Sequence, residues 1–241
     1  MRTPINDRYF LVKRCPYASS PQPEKAIWDA QHHCVSENAR VDHVPSVAEK
    51  AGEAVIKHQL KREHWGVLNH AFVKLNCYGF PHSVVSQITR HQDSHFLVQS
   101  MRYTGERLMK ADFGDIERLF YLRPAGFYRD RNGVSFEYSD YDRETHKFHL
   151  YQSLTRYQNC IKKGMPLEQA RGLLSYDFRQ DFVISGTVEA CFHWLDQRTK
   201  ENAQLEIYSL AWMVLEELQE WSPTFFNWYL ENRAGKSRLA P

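Results

Sequence analysis

The stretch Gln87–Tyr103 reads QITRHQDSHFLVQSMRY and combines two arginines, two histidines, two serines and three glutamines with regularly placed apolar residues. Ile88 follows the pair Val84–Val85 by three and four residues, which predicts the buried face of a short helix. Gln87 and Arg90 are three residues apart and therefore share another face of that helix. The start of the stretch thus predicts a helix that carries two polar side chains on one side.

After His91 the pattern changes from helical spacing to alternation. If His95–Tyr103 is extended, Ser100 and Arg102 project to the same side of the chain. A helix end followed by a hydroxyl group and a guanidinium group is suited to a phosphate and a planar polar ring. The stretch therefore predicts a nucleotide site.

Composition allows a packed core and argues against a polymeric anionic partner. The chain has 241 residues, of which 42% are hydrophobic and 14% aromatic, enough for one large domain or two small ones. The net charge is +2, from 31 basic and 29 acidic residues, so no global field favours DNA, RNA or a membrane surface. Local basic pockets that take a small anionic ligand remain compatible with this balance.

Cysteine usage and hydropathy predict an intracellular protein. The cysteines are odd in number, scattered and without a C-x-x-C pair, at Cys15, Cys34, Cys77, Cys160 and Cys191. This pattern is typical of reduced thiols and not of a disulfide framework or a metal site. No signal peptide and no run of eighteen apolar residues is present, so we expect a soluble cytoplasmic protein without a membrane segment.

Apolar periodicity and Gly or Pro breaks give a coarse secondary structure in which residues 1–20 are irregular. Helices are predicted over 23–34, 46–62, 82–91 and 139–163, after Pro166, after Thr187 and up to about Leu218, with a final turn over 225–230. Strands are predicted over 71–78, 119–128 and 182–185. No repeat, low-complexity segment or linker is evident, which favours one domain over 1–241.

Two arginines fall on predicted apolar helix faces. Arg171 shares its stripe with Leu167 and Leu174, and Arg198 lies three residues after Leu195 on another. A guanidinium directed at a core is costly unless it is paired or given an anion. Both arginines are therefore candidates for ligand contact, and an internal ion pair is the alternative for each.

The central stretch resembles the flavin-dependent thymidylate synthases. That family carries an Arg-His-Arg triplet, seven or eight residues, a serine and, two places on, Arg-Tyr. Here Arg90-His91-Gln92 is followed by seven residues, Ser100 and Arg102-Tyr103. Gln92 departs from the pattern, since the family usually has arginine there.

Other blocks extend the resemblance over most of the chain beyond residue 45. They are His64, Gly66 and His70 before a strand, Glu168 with Arg171, and His193 with Arg198 and Ala203–Ile207. Asn69, Thr187 and Glu189 depart from it, because the family often has glutamate at the first position, and asparagine and arginine for the flavin at the other two. The resemblance implies an α/β (α+β) fold, with helices packed around a mainly antiparallel sheet.

The implied activity is reductive methylation of dUMP to dTMP, with methylenetetrahydrofolate as carbon donor and NADPH as reductant through FAD. Arg198 resembles the residue that activates dUMP. The implied dUMP contacts are Gln87, Arg90, Gln99, Ser100, Met101, Arg102 and Arg171. The implied FAD contacts are Gly66, Arg90, His91, Gln92, Val98, Thr187, Val188, Glu189 and His193. The resemblance also implies a homotetramer with sites at subunit junctions, and no cysteine nucleophile.

Two other functions remain open from the sequence. One is a non-catalytic relative that binds flavin or nucleotide without turnover, which the departures at Gln92, Thr187 and Glu189 make conceivable. The other is a nucleic-acid-binding module, against which the near-neutral charge and the inward arginines argue.

Overall fold

The computed structural model describes residues 2–35, 60–130 and 132–236. Its strands are β1 Leu11–Arg14, β2 Phe72–Pro81, β3 His95–Val98, β4 Gly126–Arg129, β5 Ser135–Tyr138 and β6 Arg179–Thr187. Four of them form an antiparallel sheet in the order β1-β2-β6-β3, while β4 and β5 form a separate antiparallel hairpin. The long strands β2 and β6 therefore lie at the centre and the two shortest strands at the edges.

The helices surround this sheet. They are α1 Pro23–Val35, α2 His82–Ile88, α3 Met101–Thr104, α4 Glu106–Met109, α5 Ile116–Leu119, α6 Asp140–Lys162, α7 Leu167–Ala170, α8 Val188–Arg198, α9 Leu205–Trp221 and α10 Pro223–Asn232. Single 3₁₀ turns occupy Pro16–Ala18, Trp65–His70, Phe113–Asp115 and Arg171–Leu173. Within the described stretches, no helix is long and apolar enough to cross a membrane. The predicted fold class, helices around a mainly antiparallel sheet, is confirmed.

The main core lies between the sheet and the helices α2, α8 and α9. On β2, Val73, Leu75 and Cys77 are all buried and alternate with more exposed residues, as expected for a strand with one covered face. The apolar residues Ile207 and Val214 of α9 belong to the same cluster. This core fixes α2 and α8 relative to the sheet.

A second apolar cluster lies under the long helix α6. Leu150, Leu154 and Tyr157 of that helix are buried there together with Ile116 and Phe120. The predicted start of α6 is confirmed: the Ser139 hydroxyl accepts from the Asp142 N–H, and the Asp142 carboxylate accepts from the Ser139 N–H. This cluster supports the segment that follows β3.

The two helices that carry the candidate site obey the predicted stripes. Val84, Val85 and Ile88 are buried on α2. On α8 the buried set includes Val188, Cys191 and Leu195, and the Thr187 hydroxyl caps the helix by accepting from the Ala190 N–H at 3.2 Å. The C-terminal residue of α8 is therefore held at a defined place, and that residue is Arg198.

One edge of the sheet is covered by a side chain of α9. Glu217 accepts a hydrogen bond from the backbone N–H of Arg14 at 2.9 Å, on the edge strand β1. The same carboxylate accepts from Lys13 Nζ at 2.7 Å. Burial opposes the ionised form, but Lys13 and the Arg14 N–H lower the pKa of Glu217 below its usual value. The outward N–H of Arg14 on this edge is therefore satisfied by a carboxylate.

Several sequence predictions were wrong in detail. The segment over 1–20 is not irregular throughout, because Leu11–Arg14 pairs with β2. No continuous strand occupies 119–128. Instead, Leu119 is the last residue of α5, and β4 begins only at Gly126. The helix predicted over 46–62 lies outside the described residues except at its end.

The alternation after His91 also ends earlier than predicted. Strand β3 stops at Val98, Gln99 donates its N–H to Asp181 O at 2.9 Å, and Ser100 is the N-terminal cap position of α3. Because Arg102 is already helical, it does not share a strand face with Ser100. The two side chains are close in sequence but are not aligned by a pleat.

Candidate functional site

A groove of about 420 Å³ lies where the end of α2, the following loop and the C-terminal half of α8 meet. Its lining is almost entirely polar and consists of Arg90, His91, Gln92, Asp93, His193, Gln197 and Arg198. The first four residues follow directly after α2, and the last three occupy one side of α8 at intervals of four and one. The groove therefore unites the two most specific blocks of the sequence.

Arg198 is the structural centre of the groove. Its Nε donates to His91 Nε2 at 3.1 Å, its Nη1 to Gln87 Oε1 at 3.4 Å and its Nη2 to the Gln87 carbonyl at 3.5 Å. The side chain is half-buried. Three hydrogen bonds to neutral acceptors hold the guanidinium without neutralising its charge.

His91 is held in its neutral form. Burial, then the charge of Arg198, then His193 lower the pKa of His91 to about 4. The geometry requires the same state, because a ring nitrogen that accepts from Arg198 Nε carries no proton. The imidazole is therefore an acceptor at neutral pH and positions Arg198 without competing with it for an anion.

The opposite wall of the groove contains a separate pair. His193 Nδ1 lies 2.5 Å from Asp93 Oδ2, which links α8 to the loop after α2. The rings of His91 and His193 are 6.4 Å apart at an angle of 75°. Because Asp93 is engaged with His193, its carboxylate does not pair with the two arginines.

The groove contains an excess of positive charge that fits an anionic ligand. Among the described residues, neither Arg90 nor Arg198 has a carboxylate partner within ion-pair distance. Burial, and after it the like charge of nearby Arg90, lower the pKa of Arg198, as expected for two guanidinium groups that repel each other. An anion between them relieves this repulsion, so the donor set fits a phosphate-bearing cofactor or an ionised ring.

The other predicted FAD positions lie around the N-terminus of α8. Thr187 Oγ1 donates to Asn69 Oδ1 at 2.8 Å, and Asn69 Nδ2 donates to the Glu189 carboxylate. Val188 is fully buried, and its backbone N–H donates to the Ala71 carbonyl at 3.3 Å. Gly66 is exposed in the turn that precedes β2. The hydroxyl of Thr187 and the carboxylate of Glu189 are therefore both hydrogen-bonded to Asn69.

Val98 is the remaining FAD position. It ends β3, packs half-buried against the main core and lies opposite Phe182 of β6. Its side chain is therefore partly accessible beside the sheet. No hydrogen bond ties it to the groove.

Five of the predicted dUMP contacts lie at or near the surface. Ser100, Arg102 and Arg171 are exposed, while Gln99 and Met101 are half-buried. The prediction that Arg171 faces the core was wrong, because α7 ends at Ala170 and the chain continues as a 3₁₀ turn that directs Arg171 outward. The alternative of an internal ion pair for Arg171 is not seen among the described residues either.

Sequence reasoning missed several residues that contact the site. Gln197 follows His193 by four residues, so helical spacing was a usable signal for it. Asp93 pairs with His193 and Asn69 with Thr187, and both partners lie a hundred positions or more further along the chain. Spacing within one segment therefore gave no signal for them. Gln204, which accepts from Gln87 Nε2 at 2.6 Å, lay within a recognised block but had no role assigned.

Comparison with known families places the whole chain. The family model described as thymidylate synthase complementing protein matches residues 17–224. The chain belongs to this family. The match includes every residue of the groove and the four-stranded sheet except β1, which precedes residue 17.

Curated members of the thymidylate synthase complementing protein family agree. The flavin-dependent thymidylate synthase of Haloarcula marismortui is 31% identical over 208 residues, which cover 80% of this chain and 81% of that protein. The flavin-dependent thymidylate synthase of Halobacterium salinarum is 30% identical over 202 residues, covering 78% and 79%. Both alignments therefore cover most of this chain and most of the relative.

A solved structure shows the same fold. The crystal structure of the UMP/dUMP methylase PolB from Streptomyces cacaoi, bound with 5-Br UMP, has a TM-score of 0.72 and 17% identity, and covers 96% of each chain. The structure of PolB bound with 5-Br dUMP gives a TM-score of 0.71, 19% identity and coverage of 96% and 97%. At this identity the likeness establishes the architecture of the family fold.

Proposed function

We propose that the protein is a flavin-dependent thymidylate synthase that methylates dUMP to dTMP. The observation that carries this proposal is the guanidinium of Arg198, which is held by His91 and Gln87 and has no described carboxylate partner. Family membership supplies the reaction class, and the groove supplies a cation available to a substrate.

The chemistry requires carbon 5 of the uracil ring to act as a nucleophile. A cation beside the ring favours the N3-ionised form, in which electron density at carbon 5 is higher. Arg198 suits this role because its guanidinium stays protonated at neutral pH even though burial lowers its pKa. Its three hydrogen bonds fix its place before the substrate arrives, so little reorganisation accompanies the formation of the ring anion.

The groove fits the flavin implied by the family. Arg90, Gln92 and His193 are the residues that would hold its polar groups, with His91 behind them as the support of Arg198. When bound, the flavin supplies the redox chemistry that reduces the transferred carbon. Gln92 offers hydrogen bonds without charge, and Glu189 is engaged with Asn69, so Arg90 is the main cation for a pyrophosphate.

The phosphate of dUMP is assigned to the exposed residues Ser100 and Arg102, and the ring contacts to Gln87, Arg90 and Arg171. Gln99 and Met101 are further dUMP contacts. Arg102 and Arg171 have no carboxylate partner among the described residues, which leaves their charge for a ligand. Their exposure supports a homotetramer in which a second subunit completes the site at a junction. We also propose methylenetetrahydrofolate and NADPH as co-substrates.

The cysteines support a mechanism without an enzyme thiol. Cys77 and Cys191 are buried, and burial raises the pKa of Cys191 to about 12 and that of Cys77 further. A thiol with such a pKa is a poor nucleophile at neutral pH. Cys15 and Cys160 are also free, in keeping with a cytoplasmic location.

The deciding experiment combines a visible spectrum with a product assay. We expect purified protein to show flavin absorption and, with dUMP, methylenetetrahydrofolate and NADPH, to form dTMP. UMP is tested in parallel, because PolB is named as acting on both nucleotides. A protein that holds flavin but forms no methylated nucleotide from either substrate would be the non-catalytic relative, and a colourless protein that binds neither flavin nor dUMP would exclude both functions.

A further inference from the structure

A line of hydrogen bonds leads from the candidate site to an ion pair at the start of α9 whose carboxylate is buried. Gln87 Nε2 donates to Gln204 Oε1 at 2.6 Å, and Gln204 Nε2 donates to Glu206 Oε2 at 2.9 Å. The other carboxylate oxygen of Glu206 accepts from Arg123 Nη2 at 2.6 Å and from Arg123 Nε at 3.2 Å. At the opposite end, Arg198 Nη1 donates to Gln87 Oε1 at 3.4 Å. Three side chains therefore connect two arginines without a gap.

The two ends of this line fix the orientation of both amides between them. A carboxylate only accepts hydrogen bonds and a guanidinium only donates them, whereas an amide side chain does both. Glu206 therefore requires the NH₂ group of Gln204, which leaves the Gln204 oxygen for Gln87. The same logic turns the Gln87 oxygen toward Arg198. The Ser83 carbonyl, which accepts the second hydrogen of Gln87 Nε2 at 3.2 Å, requires the same orientation.

Glu206 is the fixed point of the line. Its side chain is 1% exposed and forms an ion pair with Arg123, whose pKa is raised by Glu206 although burial opposes the charge. Gln204 is exposed and its side chain does not cap α9. Gln204 is therefore held in place by its hydrogen bonds to Glu206 and Gln87 and not by packing.

We propose that Glu206 and Gln204 are positioning residues for the reaction, which hold the Gln87 amide with its oxygen toward Arg198 and thereby orient the guanidinium. This inference rests on the proposed function, since it concerns the cation beside the uracil ring. Neither residue touches the groove that holds the ligand. Their effect reaches the substrate only through Gln87 and Arg198.

Glu206→Gln tests the proposal because it reverses the direction of the hydrogen bond between position 206 and Gln204. Arg123 requires an acceptor, so the new amide gives its oxygen to Arg123 and its NH₂ group to Gln204. The Gln204 amide then turns its own NH₂ group toward that of Gln87, and donor faces donor. Gln87 then either keeps its orientation and loses the bond to Gln204 that holds it, or turns over and loses its bonds to both Ser83 and Arg198. Replacing both partners, in Arg123→Met with Glu206→Gln, frees the amide at 206 to accept from Gln204 again and restores the direction.

In the holoenzyme we expect Glu206→Gln to lower kcat by roughly tenfold, since small misplacements of a catalytic group reduce rate strongly. The Kd for dUMP should change less than kcat, because a cation that acts on the ring anion affects rate more than substrate binding. The double variant should recover most of the kcat. Gln204→Met, at an exposed position where folding is not at risk, should lower kcat in the same way. Asp7→Asn is the matched control, since Asp7 forms a buried ion pair with Arg179 outside the line.

A second measurement is independent of turnover. Ring-labelled histidine in the flavin-free protein reports the pKa of His91, which faces Arg198, Arg90, His193 and Asp93 in the groove. In the wild type His91 should stay neutral down to about pH 5, and Glu206→Gln should shift its titration upward because the bond from Arg198 Nε weakens. The control Asp7→Asn should not.

The proposal is overturned if Glu206→Gln has the same kcat and the same His91 titration as the control Asp7→Asn. It is also overturned if the double variant has no higher kcat than Glu206→Gln. A loss of dUMP affinity with unchanged kcat would also overturn it. A wild type that forms no methylated nucleotide would overturn the proposed function, and the His91 titration would then still decide whether Glu206 orients Arg198.

Discussion

Two parts of the candidate site differ in how completely the chain builds them. Around Arg198, the side chains of His91 and Gln87 already occupy the guanidinium with three hydrogen bonds. Around Ser100 and Arg102 the side chains are exposed, and no described partner orders Arg102. The first part is preorganised and the second is open. Under the proposed function, we therefore expect the chemistry to depend on the first part, and the second part to contribute affinity once a ligand covers it.

The strongest test of this contrast is Arg198→Ala. Loss of a preorganised charge that acts on the ring anion should lower turnover by about a hundredfold or more. Flavin binding and NADPH-driven flavin reduction without folate should remain near normal, since neither uses the ring anion. Anaerobic reduction of the flavin, followed by addition of dUMP and methylenetetrahydrofolate, measures both flavin reoxidation and dTMP. A loss of flavin binding or of the oligomer would instead make Arg198 a structural residue, and normal dTMP formation would remove it from the mechanism.

Arg102→Ala tests the open part. We expect dUMP binding to weaken by about 1.5–3 kcal/mol, the usual worth of a hydrogen bond to a charged group. Deoxyuridine, which lacks the phosphate, should bind the variant and the wild type alike in calorimetric titrations. Arg118→Ala is a suitable control, because Arg118 is also exposed but is paired with Asp115. Equal losses for both ligands would place Arg102 away from the phosphate.

Gln92→Arg sharpens the comparison within the groove. Gln92 is exposed on the loop after α2 and lines the groove without a charge. An arginine there adds a charge-assisted donor, so FAD should bind roughly threefold to tenfold more tightly if the side chain reaches the pyrophosphate. Fluorescence titration measures this, with Gln92→Met as the uncharged control. Unchanged or weaker binding of the arginine variant would show that position 92 does not face the cofactor phosphates.

The smallest expected effect concerns acid stability. Because the pKa of His91 is lowered to about 4, the unfolded chain binds a proton that the folded chain refuses between about pH 6.5 and pH 4. This part of the stability is present above pH 6.5 and is lost as the pH falls toward 4. His91→Asn keeps an acceptor for Arg198 but cannot titrate, so its thermal midpoint should fall less steeply over that range. Parallel slopes for the two proteins would contradict a neutral His91.

The sequence predicted the elements whose determinants are local. The stripe Val188, Cys191 and Leu195 carried Arg198 to the correct side of α8, because helical spacing held to the last residue. The same reasoning failed for Arg171, where the helix ended one residue earlier and the chain turned. The alternating pattern failed for Ser100, which occupies the N-cap position of a short helix that the pattern did not reveal.

The pairings that complete the groove had no local signal. Gln87 meets Gln204 across 117 positions, and Asp93 meets His193 across the gap between the loop after α2 and α8. Such contacts depend on how β2 and β6 bring the two helices together, which spacing along one segment does not encode. The role of Glu206 follows only from the hydrogen-bond directions, which require all of the partners at once.

The Glu217 carboxylate on the N–H of Arg14 has a consequence for handling the protein at high concentration. An unpaired strand edge is a template on which other chains can add and aggregate. Here the edge strand β1 is four residues long, and a negative charge from α9 already occupies one of its backbone donors. The opposite edge, β3, is equally short and begins with a histidine. Short and partly blocked edges flank the long central strands, so the sheet offers little surface for growth by strand addition.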